Sequence, residues 1–238
     1  MTKSTEDWFK EWSNEYDQTL GKMKRHHDML DLAVEVSEVK DGESVLDIGC
    51  GTGLLSLKFL EAANCRIYGI DQSEEMLGIW RKKIDELNLR GKVSIKAGDA
   101  EKLDFEDSSF DIIASTVTLH HVKDKKKTLN DIYRMLRPNG RFVIGDLDLD
   151  TSGDLDDVER LGRILDYLKE ELSLALQDGG VDSFIRMYDN GKKHILNDGE
   201  YCISFEAWSE LIRDAGFKDI RVSEVESFEW MKVLCAEK

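Results

Sequence analysis

Nine consecutive residues, Val45-Leu46-Asp47-Ile48-Gly49-Cys50-Gly51-Thr52-Gly53, constrain this chain more than any others. An apolar run with strand character ends in three glycines, and a helix-forming stretch, Leu54–Ala63, follows at once. Glycines let the backbone turn sharply and approach a ligand, and a helix N-terminus presents unpaired N–H groups at its positive end. Dinucleotide-binding proteins use the related spacing GxGxxG. Here the spacing is GxGxG, and Leu54 stands where the third glycine of that fingerprint would be. Alone, such a loop is also compatible with a mere tight turn between strand and helix.

The segments that follow repeat the strand–helix rhythm. Ser44–Ile48, Arg66–Ile70, Val93–Lys96, Phe110–Ser115 and Gly140–Leu147 read as five strands, β-branched and apolar. Helices are expected over Ser73–Asn88, with Ser73 as its cap and Glu74–Glu75 in its first turn, and from Asp124 to Leu136, ended by Pro138 and Gly140. A helix at Phe205–Ala215 and strands near Lys218–Glu224 and Phe228–Ala236 close the pattern. The expected fold is therefore α/β: a Rossmann-like, mostly parallel seven-stranded sheet with helices on both faces. Two stretches stand outside the rhythm: a helical N-terminal segment and an insertion after the fifth strand, with a helix at about Leu155–Leu176 and a glycine-bearing stretch at Gln177–Glu200. The 238 residues are read as one catalytic domain, with a cap over 1–40, a core over 41–149, an insertion or lid over 150–204 and a C-terminal part over 205–238.

Two further carboxylates join the glycine loop at the edge of the sheet where open α/β folds bind ligands. Asp71 ends the second strand, where it either accepts from a ribose diol or simply leads the next helix, and Asp99 follows the third in Gly98-Asp99-Ala100. This constellation closely resembles class I S-adenosylmethionine-dependent methyltransferases, in their small-molecule, ubiquinone/menaquinone-type branch. The resemblance runs from about Ser44 to Leu147 and, more loosely, from Phe205 onward. Asp71-Gln72-Ser73-Glu74-Glu75-Met76-Leu77, Phe110-Asp111-Ile112-Ile113, Leu119-His120-His121-Val122 and Leu136-Arg137-Pro138-Asn139-Gly140-Arg141 also carry it. The resemblance implies S-adenosyl-L-methionine as cofactor. Asp47 and the Gly49–Gly53 backbone, with Cys50, Gly51 and Gly53, would cradle its methionine part, and Thr116 would lie near that end. Asp71 would hold the ribose, Gln72 and Met76 would lie against the adenosine, and Asp99 with the Ala100 N–H would read the adenine.

Methyl transfer from a sulfonium needs an aligned nucleophile and a dry site, and a protein base only when the nucleophile must lose a proton. His120 and His121 follow the fourth strand and Asp146 ends the fifth, so these three are the catalytic candidates; the alternative is that one histidine packs or caps the next helix. Trp8, Phe9, Trp12 and Tyr16 suit one helix face, either as core or as a flap over the acceptor, which makes Tyr16 and His120 the substrate-binding candidates. His26-His27-Asp28 is read as solvated or capping, because adjacent helical histidines point apart.

The remaining features exclude more than they assign. Cys50, Cys65, Cys202 and Cys235 form no CxxC pair, so neither a metal site nor a redox motif is expected. A net charge of -16 argues against nucleic acid as a partner, and the chain's only proline, Pro138, leaves no room for the proline motifs of base-methylating enzymes. No apolar run reaches the roughly 18 residues of a membrane span, and Met1–Lys10 has no signal-peptide core, so a cytoplasmic monomer or homodimer is expected. Two other classes compete: a non-catalytic binding module on the same fold, and a nicotinamide-dependent oxidoreductase, which the glycine spacing disfavours.

Overall fold

Apolar side chains alternate along the strands and so supply two separate cores. Val45, Ile67, Val93, Ile112, Val143 and Val233 join one buried cluster, while Leu46, Ile70, Ile113, Phe142, Ile144 and Leu234 join another. Successive strand residues point to opposite faces, so one sheet buried on both sides explains the pattern. The computed structural model, which describes residues 23–198 and 201–238, shows that sheet. In chain order the elements are α1 Lys24–Ser37, β1 Ser44–Ile48, α2 Leu54–Ala62, β2 Arg66–Asp71, α3 Glu74–Glu86, β3 Val93–Ala97 and β4 Phe110–Thr116. A 3-10 turn Leu119–His121 precedes α4 Lys125–Met135, β5 Leu136–Leu147, α5 Val158–Asn190, a π-helical stretch Gly191–Asp198, α6 Phe205–Asp214, β6 Lys218–Glu224 and β7 Met231–Glu237.

The seven strands lie in the order β3-β2-β1-β4-β5-β7-β6. β1 to β5 pair in parallel, and β7 enters antiparallel between β5 and β6. α1, α2, α3 and the first half of α5 contribute to the first core, α4 and α6 to the second. The strand order reverses at β1, which carries the glycine loop on one side and faces β4 on the other. This is the switch point at which such sheets bind ligands.

Local chemistry sets several boundaries. The Ser73 hydroxyl accepts from the Met76 N–H and starts α3, and the Asp124 carboxylate does the same from Lys127 for α4. β5 begins at Leu136, earlier than Gly140, because Pro138 and Gly140 are accommodated within an irregular start of the strand and not in a loop before it. β7 starts at Met231, later than Phe228, since Met231 N–H and Val225 N–H close a turn around Phe228. The insertion helix corrects the sequence reading most. α5 does not stop near Leu176 but runs through Gly179 and Gly180 to Asn190, with a kink where Gly180 takes φ 67°. Glycine adopts that angle without a side-chain clash, so helical backbone resumes beyond it. Of the expected helical N-terminal segment, the described residues show α1; residues 1–22, with Trp8, Phe9, Trp12 and Tyr16, lie outside the described residues.

Candidate active site

A cavity of about 510 Å³ opens at the C-terminal ends of β1, β2 and β3. Its size lies within the range of small-molecule sites. Gly49 and Gly51 form its floor, both at positive φ. At Gly49 a side chain is impossible on a second count: a Cβ there would lie 2.1 Å from the Thr118 Oγ1. Asp71 stands beside the loop and shapes it. Its Oδ2 accepts from the Gly51 N–H at 2.8 Å and its Oδ1 from the Ser73 N–H at 2.8 Å. Burial raises the Asp71 carboxyl above its usual range, and the two backbone N–H groups oppose that rise. Gln72, Met76, Asp99 and Ala100 line the same cavity.

Other expected cofactor residues do not reach the wall. Asp47 is 1% exposed and accepts from the Ser56 hydroxyl at 2.6 Å, so it ties β1 to the first turn of α2 and acts through the loop it supports. Desolvation pushes its carboxyl up to about 7, partly offset by Ser56 and increased by Asp71. Cys50 is buried against Gly69, and Gly53 packs so closely on the Trp80 indole that a Cβ would overlap the ring. Thr116 ends β4 behind the wall and offers its carbonyl to the Thr118 hydroxyl at 3.0 Å. Val117, Thr118 and Glu101 take the places at the cavity that the sequence reading left unassigned. Val117 is the telling case, a β-branched residue at φ 49°. Such a backbone costs on the order of 1–3 kcal/mol and persists where the surroundings enforce it, often at a functional site. Here the Val117 N–H is held by the Gly145 carbonyl at 2.8 Å. No sequence pattern announces that strain; Glu101, following Asp99-Ala100, was within reach of the motif.

The three catalytic candidates come together at the ends of β4 and β5. His120 is 4% exposed, and its Nδ1 lies 2.6 Å from the Asp146 Oδ1. Asp146, itself 1% exposed, also accepts the backbone N–H of His120 at 3.2 Å and that of Leu147 at 2.9 Å. A carboxylate paired with a neutral imidazole accepts from the Nδ1–H tautomer, which makes Nε2 the acceptor nitrogen of the ring; His120 itself is not among the residues that line the cavity. The His121 ring lies 4.1 Å from that of His120 and is part of the cavity wall. His26 corrects the sequence reading: it is 3% exposed in α1, not solvated, and burial, with His27 and Arg25 nearby, lowers its pKa to about 4. Among the described residues no group of three His, Cys, Asp or Glu side chains is placed to hold a metal ion, and no helix is long and apolar enough to cross a membrane. All four cysteines are buried thiols.

The donor set decides what the cavity fits. Asp71, Glu74, Glu75, Asp99 and Glu101 line it, and Met76, Val117 and Val122 give it apolar surface. Carboxylates accept from hydroxyls and amines and attract a cation, which suits an adenosine bearing a sulfonium and opposes the pyrophosphate of a dinucleotide. Comparison with known proteins agrees. Residues 39–201 match a family described as Methyltransferase domain. The chain is 30% identical over 191 residues to the demethylmenaquinone methyltransferase of Lactobacillus johnsonii, covering 79% of this chain and 73% of that one. It is also 30% identical over 194 residues to the ubiquinone/menaquinone biosynthesis C-methyltransferase UbiE of Klebsiella pneumoniae, covering 79% and 71%. A phosphoethanolamine N-methyltransferase of Haemonchus contortus, solved with S-adenosylhomocysteine, shares the fold at TM-score 0.69 and 17% identity, over 99% of this chain and 61% of that one. Loop, carboxylates and family match converge: the chain belongs to the methyltransferase-domain family and is an S-adenosylmethionine-dependent methyltransferase.

Proposed function

We propose that this enzyme methylates a small acceptor that must shed a proton, with His120 as the base and Asp146 as the residue that positions it. The observation that carries the proposal is the buried Asp146–His120 hydrogen bond of 2.6 Å, placed beside a cavity-lining histidine. When bound, S-adenosylmethionine supplies a methyl group on a sulfonium sulfur that is itself the leaving group. Asp71, Asp99 and the Gly49–Gly51 backbone would hold it, Gln72 and Met76 would flank its adenosine, and the apolar wall would exclude water. Asp146 fixes the His120 tautomer so that Nε2 can take the acceptor's proton, and His121 orients the acceptor from the wall. Residues 150–204 would roof this site, and the core, insertion and C-terminal part would act as one catalytic unit. The acidic charge and the two relatives named for quinone biosynthesis support a small molecule, and not nucleic acid, as the acceptor, and a cytoplasmic monomer or homodimer is part of the same proposal.

The quinone precursors that those relatives are named for are the first acceptors to supply, with release of S-adenosylhomocysteine as the readout. His120→Asn should then lower turnover by on the order of 10²–10⁴-fold with cofactor affinity kept. Asp146→Asn should lower kcat with little change in KM, as loss of tautomer control would, whereas a merely structural role would alter both. Full turnover in both variants would remove the base from the mechanism.

A further inference from the structure

Two arginines are almost wholly buried among the described residues, and they are treated very differently. Arg25, 2% exposed, is matched by acids: its Nη2 and Nε meet Glu171 at 2.6 and 3.2 Å, and its Nη1 meets Asp178 at 2.8 Å. Arg160, 1% exposed, sits in the first turn of α5 and meets only backbone oxygens, from Nε to the Thr151 carbonyl at 2.8 Å and from Nη2 to the Ile195 carbonyl at 3.3 Å. Its Nη1 is buried and has no hydrogen-bond partner, and no carboxylate lies within ion-pair distance of it among the described residues. Asp157, one turn earlier, accepts the N–H groups of Glu159 and Arg160 on Oδ1 and feels the Arg160 charge, but forms no ion pair with it. A guanidinium keeps its charge at physiological pH, and an unmatched charge in the interior is costly.

The position of Arg160 gives that charge a use. Thr151, which it holds, lies five residues beyond Asp146 and is bound in turn to Cys202, whose carbonyl accepts the Thr151 N–H at 3.1 Å. Beside the same 201–202 segment lies a second buried cation, Lys125, 7% exposed, under the rings of Tyr201 and Trp208 at 5.8 and 5.4 Å. Its ammonium donates to the Val122 carbonyl at 2.8 Å and has no carboxylate within ion-pair distance among the described residues. The segments that follow β4 and β5 thus hold two buried cations, neither of them in the cavity wall, and the buried acid Asp146, which pairs with His120, also acts on Lys125. The cofactor side has the opposite character, with carboxylates along its wall.

From this contrast we infer that Arg160 anchors an oxyanion, a carboxylate or phosphate, carried by the methyl acceptor away from its reacting atom. The inference rests on the methyl-transfer reading of the site and narrows it, since the demethylated quinone for which the first relative is named is a neutral molecule. The anion would accept from Nη1 and complete the coordination that backbone carbonyls leave half-finished. Because Nη1 is sealed from solvent, entry requires the start of α5 and the segment after β5 to part and reclose, which is the behaviour of a lid.

The test is binding, not turnover. The full chain, saturated with S-adenosylhomocysteine, is titrated calorimetrically with inorganic phosphate and with benzoate, each against chloride at matched ionic strength. Wild type should bind at least one of the two, and which one it binds separates the phosphate source from the carboxylate. Arg160→Gln should weaken that binding by about tenfold or more, as loss of a charge-assisted contact does, with S-adenosylhomocysteine affinity unchanged, and Arg160→Lys should recover part of it. Wild type binding neither anion, or Arg160→Gln binding as tightly as wild type, overturns the inference. Should Arg160→Gln not fold, a crystal of the wild type grown with the bound probe decides: an anion on Nη1 supports the inference, and an anion elsewhere or none overturns it. A chain that fails to bind S-adenosylhomocysteine at all would instead refute the methyl-transfer reading, so the two failures are distinct.

Discussion

Asp71 and Asp47 are two carboxylates of one loop with different tasks, and their substitutions should differ accordingly. Asp71 reaches the cavity and holds two backbone N–H groups, at Gly51 and Ser73. Asp71→Ala should weaken cofactor affinity by about 1.5–3 kcal/mol, roughly 10–150-fold, read by calorimetry on the folded variant; unchanged affinity would mean that the ribose is not held there. Asp47 stays behind the wall, and its carboxyl is raised from 3.8 to about 7. Between those values the folded chain keeps a proton that the unfolded chain has released, so this residue lowers stability as pH rises through the window. Asp47→Asn retains an acceptor for Ser56 but has nothing to titrate. Its melting temperature should therefore fall less than that of wild type between about pH 5 and pH 7. His26, lowered to about 4, acts in the opposite sense, costing stability as pH falls, and does so equally in both proteins, so it cancels in the comparison. Which acids stand at strand ends could be read from the chain, because Asp71 ends one strand-like run and Asp99 follows another in Gly98-Asp99-Ala100. That Asp47 is sealed, and that Val117 is strained, depends on packing by Ser56 and Gly145 from other elements, which no local pattern records.

Helix-level features divide along the same line. The cap at Ser73 was legible, and Asp124 was legible as a helix start, because both are a matter of a few neighbouring residues. The length of α5 was not, because Gly179-Gly180 reads as a stop, and only the buried Met187 beyond it shows that the helix has a surface to lie on. The tie between α1 and α5 lay beyond any sequence pattern: Arg25 and Glu171 are 146 positions apart. Both are nearly inaccessible, and burial raises the Glu171 carboxyl while Arg25 opposes the rise. Breaking such a pair from one side leaves a charge in the interior. Arg25→Met alone should cost about 3–5 kcal/mol in chemical denaturation, and Arg25→Met with Glu171→Leu should cost clearly less. Equal losses would mean that the pair adds nothing beyond its packing. Hydrogen exchange across α1 and α5 in the single variant should show both helices opening together, since the tie joins them.

For the molecule as a whole, charge and topology matter most. With 49 acidic against 33 basic residues, self-repulsion should outweigh the exposed ion pairs, each worth about 0–1 kcal/mol. Raising sodium chloride from about 0.1 M to about 1 M shortens the screening length from about 10 Å to about 3 Å. The melting temperature should rise over that range; a fall would show that the surface pairs dominate. Topology has a consequence for biosynthesis. β7, which follows the other six strands in the chain, does not take the rim of the sheet but sits inside it, between β5 and β6. Until residues 231–237 leave the ribosome, the β5 edge along Arg141–Leu147 has no neighbour on that side. That stretch includes Phe142, Val143 and Ile144, apolar and β-prone, the kind of bare edge that recruits other nascent chains. The glycine loop and the carboxylates around it are translated long before, so a growing chain has its cofactor loop in place while its sheet is still open to aggregation.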